Sequence, residues 1–222
     1  MNVPGFHLFQ IIKMEKKSDG LQDGNFLPLV EEFFTIQGEG FHAGKAAYFI
    51  RIGGCDVGCS WCDTRFSWDK ALHPMVKTDS IIDHAVESGT DSVVVTGGEP
   101  LMWNLNYLCS GLKKKNILTF IETSGAYPLT GDWDWICLSP KKNIPPGSKI
   151  CRAANELKVI IEDKSDFEWA EEYRSKVGKK CRLFLQPEWR RFESVIPDII
   201  AYVKKNNAWR ISLQVHKYMH IP

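Results

Sequence analysis

The chain has 222 residues, 44% of them hydrophobic and 25% charged, with 28 basic against 27 acidic side chains and a formal net charge of +1. That is enough chain for one domain with a sizeable core, and the charge balance excludes a polyanion-binding footprint, so no nucleic-acid partner is expected. No apolar run reaches membrane-spanning length and no secretory leader is recognisable, so the expected location is cytoplasmic, with no membrane partner.

Residues 1–27 begin with a short apolar stretch and continue polar and glycine-rich. They read as a loosely ordered N-terminal extension, with Met14 as a second candidate start, and residues 28–222 read as a single domain. From Tyr48 onward, short runs rich in β-formers (48–52, 92–96, 118–122, 135–138, 156–161 and 182–185) alternate with amphipathic stretches (79–88, 105–115, 165–176 and 194–206). Apolar strands alternating with helices predict an α/β fold with a parallel sheet covered by helices. The strand exits read Arg51-Ile52-Gly53-Gly54-Cys55, Thr96-Gly97-Gly98-Glu99-Pro100, Glu122-Thr123-Ser124-Gly125, Ser139-Pro140-Lys141 and Gln186-Pro187. Polar, glycine- and proline-rich groups thus gather at successive carboxyl ends, where α/β enzymes build their sites. About six strands are too few for a full eight-fold barrel, so a partial (β/α)6-type barrel is expected.

The chemistry is concentrated in Gly53-Gly54-Cys55-Asp56-Val57-Gly58-Cys59-Ser60-Trp61-Cys62-Asp63-Thr64. Three thiolates on one short loop suit a soft metal and can hold three corners of an iron–sulfur cube, leaving a fourth iron open to a ligand. Structural zinc requires four protein ligands, usually as two pairs, and no second Cys-x-x-Cys or His pair follows downstream. The other cysteines, Cys109, Cys137, Cys151 and Cys181, are scattered singly, and a total of 7 is odd, which argues against a disulfide framework.

The Cys-x-x-x-Cys-x-x-Cys spacing, together with Gly97-Gly98-Glu99-Pro100 after the next strand, resembles the radical S-adenosylmethionine superfamily. Finer matches resemble one family in it, the 7-carboxy-7-deazaguanine synthases. These are Thr35-Ile36-Gln37-Gly38-Glu39-Gly40, Phe49-Ile50-Arg51, Cys62-Asp63-Thr64, the strand exits above, and Gln214-Val215-His216-Lys217-Tyr218-Met219-His220-Ile221-Pro222. The resemblance covers residues 28–222 and implies a modified radical S-adenosylmethionine core. It implies a 4Fe–4S cluster on Cys55, Cys59 and Cys62, with S-adenosylmethionine and Mg2+ as further cofactors.

The resemblance also assigns roles. Trp61, Asp63, Gly98, Glu99, Ser124, Ser139, Pro140, Lys141, Gln186, Pro187, Glu188 and Trp189 would contact S-adenosylmethionine, with Gly98 leaving room for close approach and Glu99 accepting from the ammonium. Against this stands a tight turn with a surface carboxylate, and singly the polar groups could cap neighbouring helices. Thr64 would bind Mg2+, although by residue type it reads as a turn residue. Ile36, Gln37, Gly38, Arg51, Thr96 and the Pro222 carboxylate would bind substrate; Arg51 would pair with a carboxylate, or else form a buried salt bridge with Glu39. His216 reads as a pocket wall or a supporting hydrogen-bonding residue.

The implied reaction converts 6-carboxy-5,6,7,8-tetrahydropterin into 7-carboxy-7-deazaguanine and ammonia by hydrogen abstraction, ring contraction and hydrogen return. A flavodoxin or ferredoxin would donate the electron, and a homodimer is expected. Two alternatives stay open: a glycyl-radical-activating enzyme working on a protein partner through an open face, and a non-enzymatic zinc or iron–sulfur module.

Overall fold

The computed structural model describes residues 23–222; residues 1–22, with Met14 and most of the expected extension, lie outside the described residues. In chain order the strands are β1 (Phe26–Ile36), β2 (Ala46–Ile52), β3 (Met75–Lys77), β4 (Ser92–Gly97), β5 (Leu118–Thr123), β6 (Trp135–Leu138), β7 (Glu156–Ile161), β8 (Arg182–Pro187) and β9 (Trp209–Ile211). The helices are α1 (Thr78–Glu87), α2 (Asn106–Lys114), α3 (Ser148–Ala153), α4 (Asp166–Arg174), α5 (Phe192–Lys205) and α6 (Val215–Met219). All strands join one sheet in the order β3-β1-β2-β4-β5-β6-β7-β8-β9. From β2 to β9 every neighbouring pair is parallel, whereas β1 pairs antiparallel with both β2 and β3. The end strands β3 and β9 do not pair, so the sheet is an unclosed barrel.

Period-2 alternation gives each parallel strand two faces with different jobs. Ile50, Ile52, Val93, Val95, Ile121, Leu138, Leu157, Val159, Leu183 and Leu185 face the helices and pack with Ile81, Leu108, Leu112, Tyr173 and Ile199 into the main core. Fully burying one such aliphatic side chain stabilises the fold by about 1.5–3 kcal/mol. The alternate residues face the barrel interior. Near the amino ends these are Ala47, Val94 and Phe120, a smaller apolar cluster with Phe49 and Trp135 packed on it. The loop after β1 plugs this end: Phe41 stacks on Trp135 at 4.8 Å and His42 on Phe120 at 4.6 Å. Towards the carboxyl ends the interior residues turn polar: Arg51, Thr96, Glu122, Lys158 and Gln186. The same alternation that builds the core therefore lines a polar cavity above an apolar plug at the amino ends.

The six expected strands and four expected helices all form, and β1, β3, β9, α3 and α6 are additional. β1 escapes a pattern reading because it contains Pro28 and a register shift between Leu29 and Glu31, which break its alternation. The other additions are too short for a period to register. β1 already includes Phe26 and Leu27, ahead of the expected start of the folded body. Among the described residues no helix is long and apolar enough to cross a membrane.

Candidate active site

One cavity of about 290 Å³ opens at the carboxyl ends of the parallel strands. Its wall carries Cys55, Cys59, Trp61, Cys62, Asp63, Thr64, Gly98, Glu99, Ser124, Ser139, Lys141, Gln186, Pro187, Glu188 and Trp189. Ile36, Gln37, Gly38, Arg51, Thr96 and Pro222 complete the convergence of the sequence-predicted residues. Pro140 is the exception. It is buried off the cavity wall, because Ser139 and Lys141 on either side of it turn inward.

Backbone hydrogen bonds hold the cysteine loop. Gly54 N–H reaches the Ser67 carbonyl at 2.7 Å, Cys55 N–H the Trp68 carbonyl at 3.0 Å, and Glu99 N–H the Gly54 carbonyl at 2.9 Å. Asn143 Nδ2 donates to the carbonyls of Val57 and Gly58, and the Tyr127 hydroxyl binds Asp56. A side chain at Gly98 would place its Cβ 2.4 Å from the Gly54 oxygen and 2.8 Å from Cys55 Cβ. The glycine is thus required by the cysteine loop pressing on it, rather than by room for a cofactor backbone contact alone.

Each of the three loop cysteines is a free, half-buried thiol, and burial pushes those of Cys55 and Cys59 upward. Among the described residues no three His, Cys, Asp or Glu side chains converge as they would on a single metal ion. A 4Fe–4S cube places its three cysteines on three different irons, so it asks for a wider spacing than one ion does. Three soft ligands on one pinned loop, facing an open cavity, fit such a cluster. They do not fit tetrahedral zinc.

Glu99 is 1% exposed, which removes the surface-turn reading. It does cap the 3₁₀ turn Pro100–Met102 through Leu101 N–H at 3.0 Å, and it also accepts from Thr123 Oγ1 at 2.6 Å, Ser124 N–H at 2.8 Å and the Ser124 hydroxyl. Those donors fill a carboxylate's roughly four acceptor positions. Lys141 donates to the Ser139 carbonyl at 2.8 Å and hydroxyl at 2.6 Å and lies 5.2 Å from the Trp61 ring centre. Burial lowers its ammonium pKa, against the opposing pull of Cys59. Gln186 accepts from Ser212 Oγ at 2.7 Å, so its amide nitrogen is not used by that bond. Glu188 accepts from Arg191 N–H at 3.0 Å, a capping contact. Thr64 combines both of its readings: its carbonyl anchors the turn at Ser67, while its hydroxyl lies 3.5 Å from Cys62 Sγ.

On the substrate side the salt-bridge partner differs from expectation. Arg51 Nε binds Glu31 at 2.6 Å, not Glu39, and the two Nη nitrogens take no part in that bond. Glu39 is instead claimed by Lys158, a residue to which the sequence reading gave no role. The Lys158 ammonium, 4% exposed at its side chain, bridges Glu39 and Glu122, the latter at 2.9 Å. Gln37 Nε2 donates to Glu122 at 2.8 Å and Gln214 Nε2 to Glu39 at 2.8 Å. Burial alone would raise the Glu39 pKa, but Lys158 and the Gln214 hydrogen bond overcome it and hold the carboxyl at about 2. The signal for Lys158 was present: Glu156 and Lys158 stand two apart on the inward face of an otherwise apolar strand. On the cavity wall, the Gln37 side chain and backbone and the Gly38 carbonyl are all bonded within the protein.

The C-terminal segment closes the open side of the barrel. Val215 N–H binds the Gly38 carbonyl at 2.9 Å, Lys217 reaches Asp63 at 2.9 Å, and Thr35 Oγ1 donates to the Pro222 oxygen at 3.3 Å. The His216 ring fills the space beside Gly38, where any Cβ would meet it at 2.1 Å. His216 is thus a pocket wall, and burial lowers its imidazole pKa.

Residues 49–137 match the family model of the radical SAM superfamily. The chain is 57% identical over 202 residues to the 7-carboxy-7-deazaguanine synthase of Flavobacterium psychrophilum, covering 91% of this chain and 96% of the relative. It is 47% identical to the enzyme of that name from Synechocystis, covering 87% and 93%. The crystal structure of QueE from Escherichia coli superposes with a TM-score of 0.74 at 30% identity, covering 87% of this chain and 96% of that one.

Proposed function

Since the chain belongs to the 7-carboxy-7-deazaguanine synthases of the radical SAM superfamily, we propose that this cavity binds 6-carboxy-5,6,7,8-tetrahydropterin and converts it to 7-carboxy-7-deazaguanine and ammonia. The observation that carries the reading is the opposition, in one cavity, of three free thiols on a pinned loop and an arginine whose Nη groups take no part in its salt bridge to Glu31. When bound, the 4Fe–4S cluster and S-adenosylmethionine supply the radical that removes a hydrogen from the pterin and returns it after ring contraction.

Every other task falls to the chain. Cys55, Cys59 and Cys62 hold the cluster. Glu99, which now accepts from the Ser124 hydroxyl, would accept from the cofactor's ammonium, and Ser124 would offer its hydroxyl to the same ligand. Lys141, Ser139, Gln186 and the 187–189 segment take up the cofactor's carboxylate, ribose and adenine; Trp61 and Asp63 flank it. Arg51, with Thr96 beside it in register, receives the pterin carboxylate, and Pro222 accepts from the amino-pyrimidine edge. Thr64 offers Mg2+ a single hydroxyl. This suits an ion that keeps most of its waters and takes further oxygens from the substrate.

The C-terminal segment across the mouth supports a small-molecule substrate over a protein one, which would need an open face. A flavodoxin or ferredoxin supplies the electron, the enzyme is a homodimer, and it works in the cytoplasm. The family resemblance supports the first two, and free cysteines throughout support the third.

The test is anaerobic turnover of the reconstituted chain with reductant, S-adenosylmethionine, Mg2+ and the pterin, followed by absorbance and mass spectrometry. The deazapurine should form without stoichiometric loss of S-adenosylmethionine. Formation of 5'-deoxyadenosine alone would refute the substrate, and neither product from a fully loaded cluster would refute the enzyme.

A further inference from the structure

Trp68 has no part in the roles above, yet it touches the cysteine loop at both ends. It follows the 3₁₀ turn Arg65–Ser67 that closes the loop. Its carbonyl accepts from Cys55 N–H at 3.0 Å, and its indole Nε1 donates to Cys62 Sγ at 3.4 Å. The turn beneath it is fixed, since Ser67 N–H and Oγ bind the Thr64 carbonyl at 2.9 and 2.7 Å. The Arg65 guanidinium lies 5.6 Å from the centre of the Trp68 ring and backs it. Two other tryptophans border the loop and spend their N–H groups on oxygen: Trp103 on the Gly53 carbonyl at 2.9 Å, and Trp61 on Glu162. Trp68 is the one of the three aimed at sulfur.

A hydrogen bond to a cluster thiolate has a definite electronic effect. One-electron reduction adds negative charge to the cluster and its sulfurs, so a donor fixed on one of them stabilises the reduced form more than the oxidised form and raises the potential. The effect is larger where the surroundings are poor in water, as on this half-buried wall. We infer that Trp68 tunes the cluster, its indole N–H on Cys62 Sγ easing the one-electron reduction that starts each turnover. The inference rests on the cluster assignment made above. Trp68 is a positioning residue in it, acting on the electronics of the cluster through Cys62.

The experiment is a potentiometric titration of the full chain, reconstituted anaerobically, followed by electron paramagnetic resonance, comparing wild type with Trp68→Phe after iron and sulfide per chain are measured in both. The phenylalanine keeps the ring and deletes the donor. Equal loading is expected, with a midpoint shifted to more negative potential. At fixed solution potential the reduced-to-oxidised ratio should fall by about three- to tenfold, the latter corresponding to about 59 mV for one electron. In parallel, wild type grown on indole-¹⁵N tryptophan should show a ¹⁵N coupling to the reduced cluster by electron–nuclear double resonance, a signal that Trp68→Phe lacks.

An unchanged midpoint at equal loading would overturn the inference, even if the variant were less stable. Should the variant take up no cluster, the labelled wild type decides, and absence of a coupled nitrogen there is equally fatal. Wild type that binds no iron and sulfide would instead refute the cluster assignment itself, and the role of Trp68 with it.

Discussion

The cysteine loop and the cavity floor hold reactive groups in place by opposite means. The loop is one contiguous segment, residues 53–68, kept in shape by hydrogen bonds, mostly from its own backbone and with Asn143 and Tyr127 bracing it from outside, around neutral thiols. The floor is assembled from residues far apart in sequence: Glu39, Glu122, Lys158 and Gln214 meet only after β1, β5, β7 and the C-terminal segment are in place. Its cohesion is ionic and buried. The loop can therefore lose a ligand without unsettling the fold, whereas the floor cannot lose a charge without leaving another uncompensated.

The sharpest contrast comes from removing one member of each. Cys59→Ala should reduce iron and sulfide uptake to background and abolish turnover, while the apo chain keeps its unfolding free energy within about 0.5 kcal/mol, as read by urea denaturation. Lys158→Met should do the reverse. Stranding Glu39 and Glu122 is expected to cost about 3–5 kcal/mol of stability, with Lys158→Arg recovering a large part because it restores the charge. Equal stability of Lys158→Met and wild type would break the comparison.

Arg51 lies between the two regions. Arg51→Lys retains charge but loses the planar fork, and should raise the pterin KM by about a hundredfold, some 2.7 kcal/mol, with cluster content unchanged. Extending the chain beyond Pro222 displaces its carboxylate from the cavity rim and should weaken apparent pterin affinity by about tenfold, the loss of one or two hydrogen bonds. Affinity in a tagged protein matching the untagged one would remove Pro222 from the site.

The smallest effect is a pH slope. Glu39 is held at about 2 against an ordinary 4.5, so the folded state binds its proton less readily than the unfolded state does. The stability it contributes is complete above pH 4.5 and is lost as pH falls towards about 2. Glu39→Gln should flatten the pH dependence of unfolding in that window, by at most about 1.4 kcal/mol per pH unit for a single group.

What could be read from the sequence follows the same division. The cysteine loop, the glycine-glutamate turn and the strand exits are local patterns, because their chemistry depends on spacing along one stretch of chain. The six expected strands were legible because apolar β-branched runs repeat at regular intervals between amphipathic segments. Four things were decided by tertiary structure alone: that Arg51 pairs with Glu31, that Lys158 bridges Glu39 and Glu122, that Trp68 turns back onto Cys62, and that Pro140 is buried away from the cavity. The two ion pairs depend on which strands become neighbours and on which face alternation presents to the interior, and the Trp68 and Pro140 placements on how the loops at the strand exits fold. Long-range register of this kind leaves no mark in the spacing of any one segment.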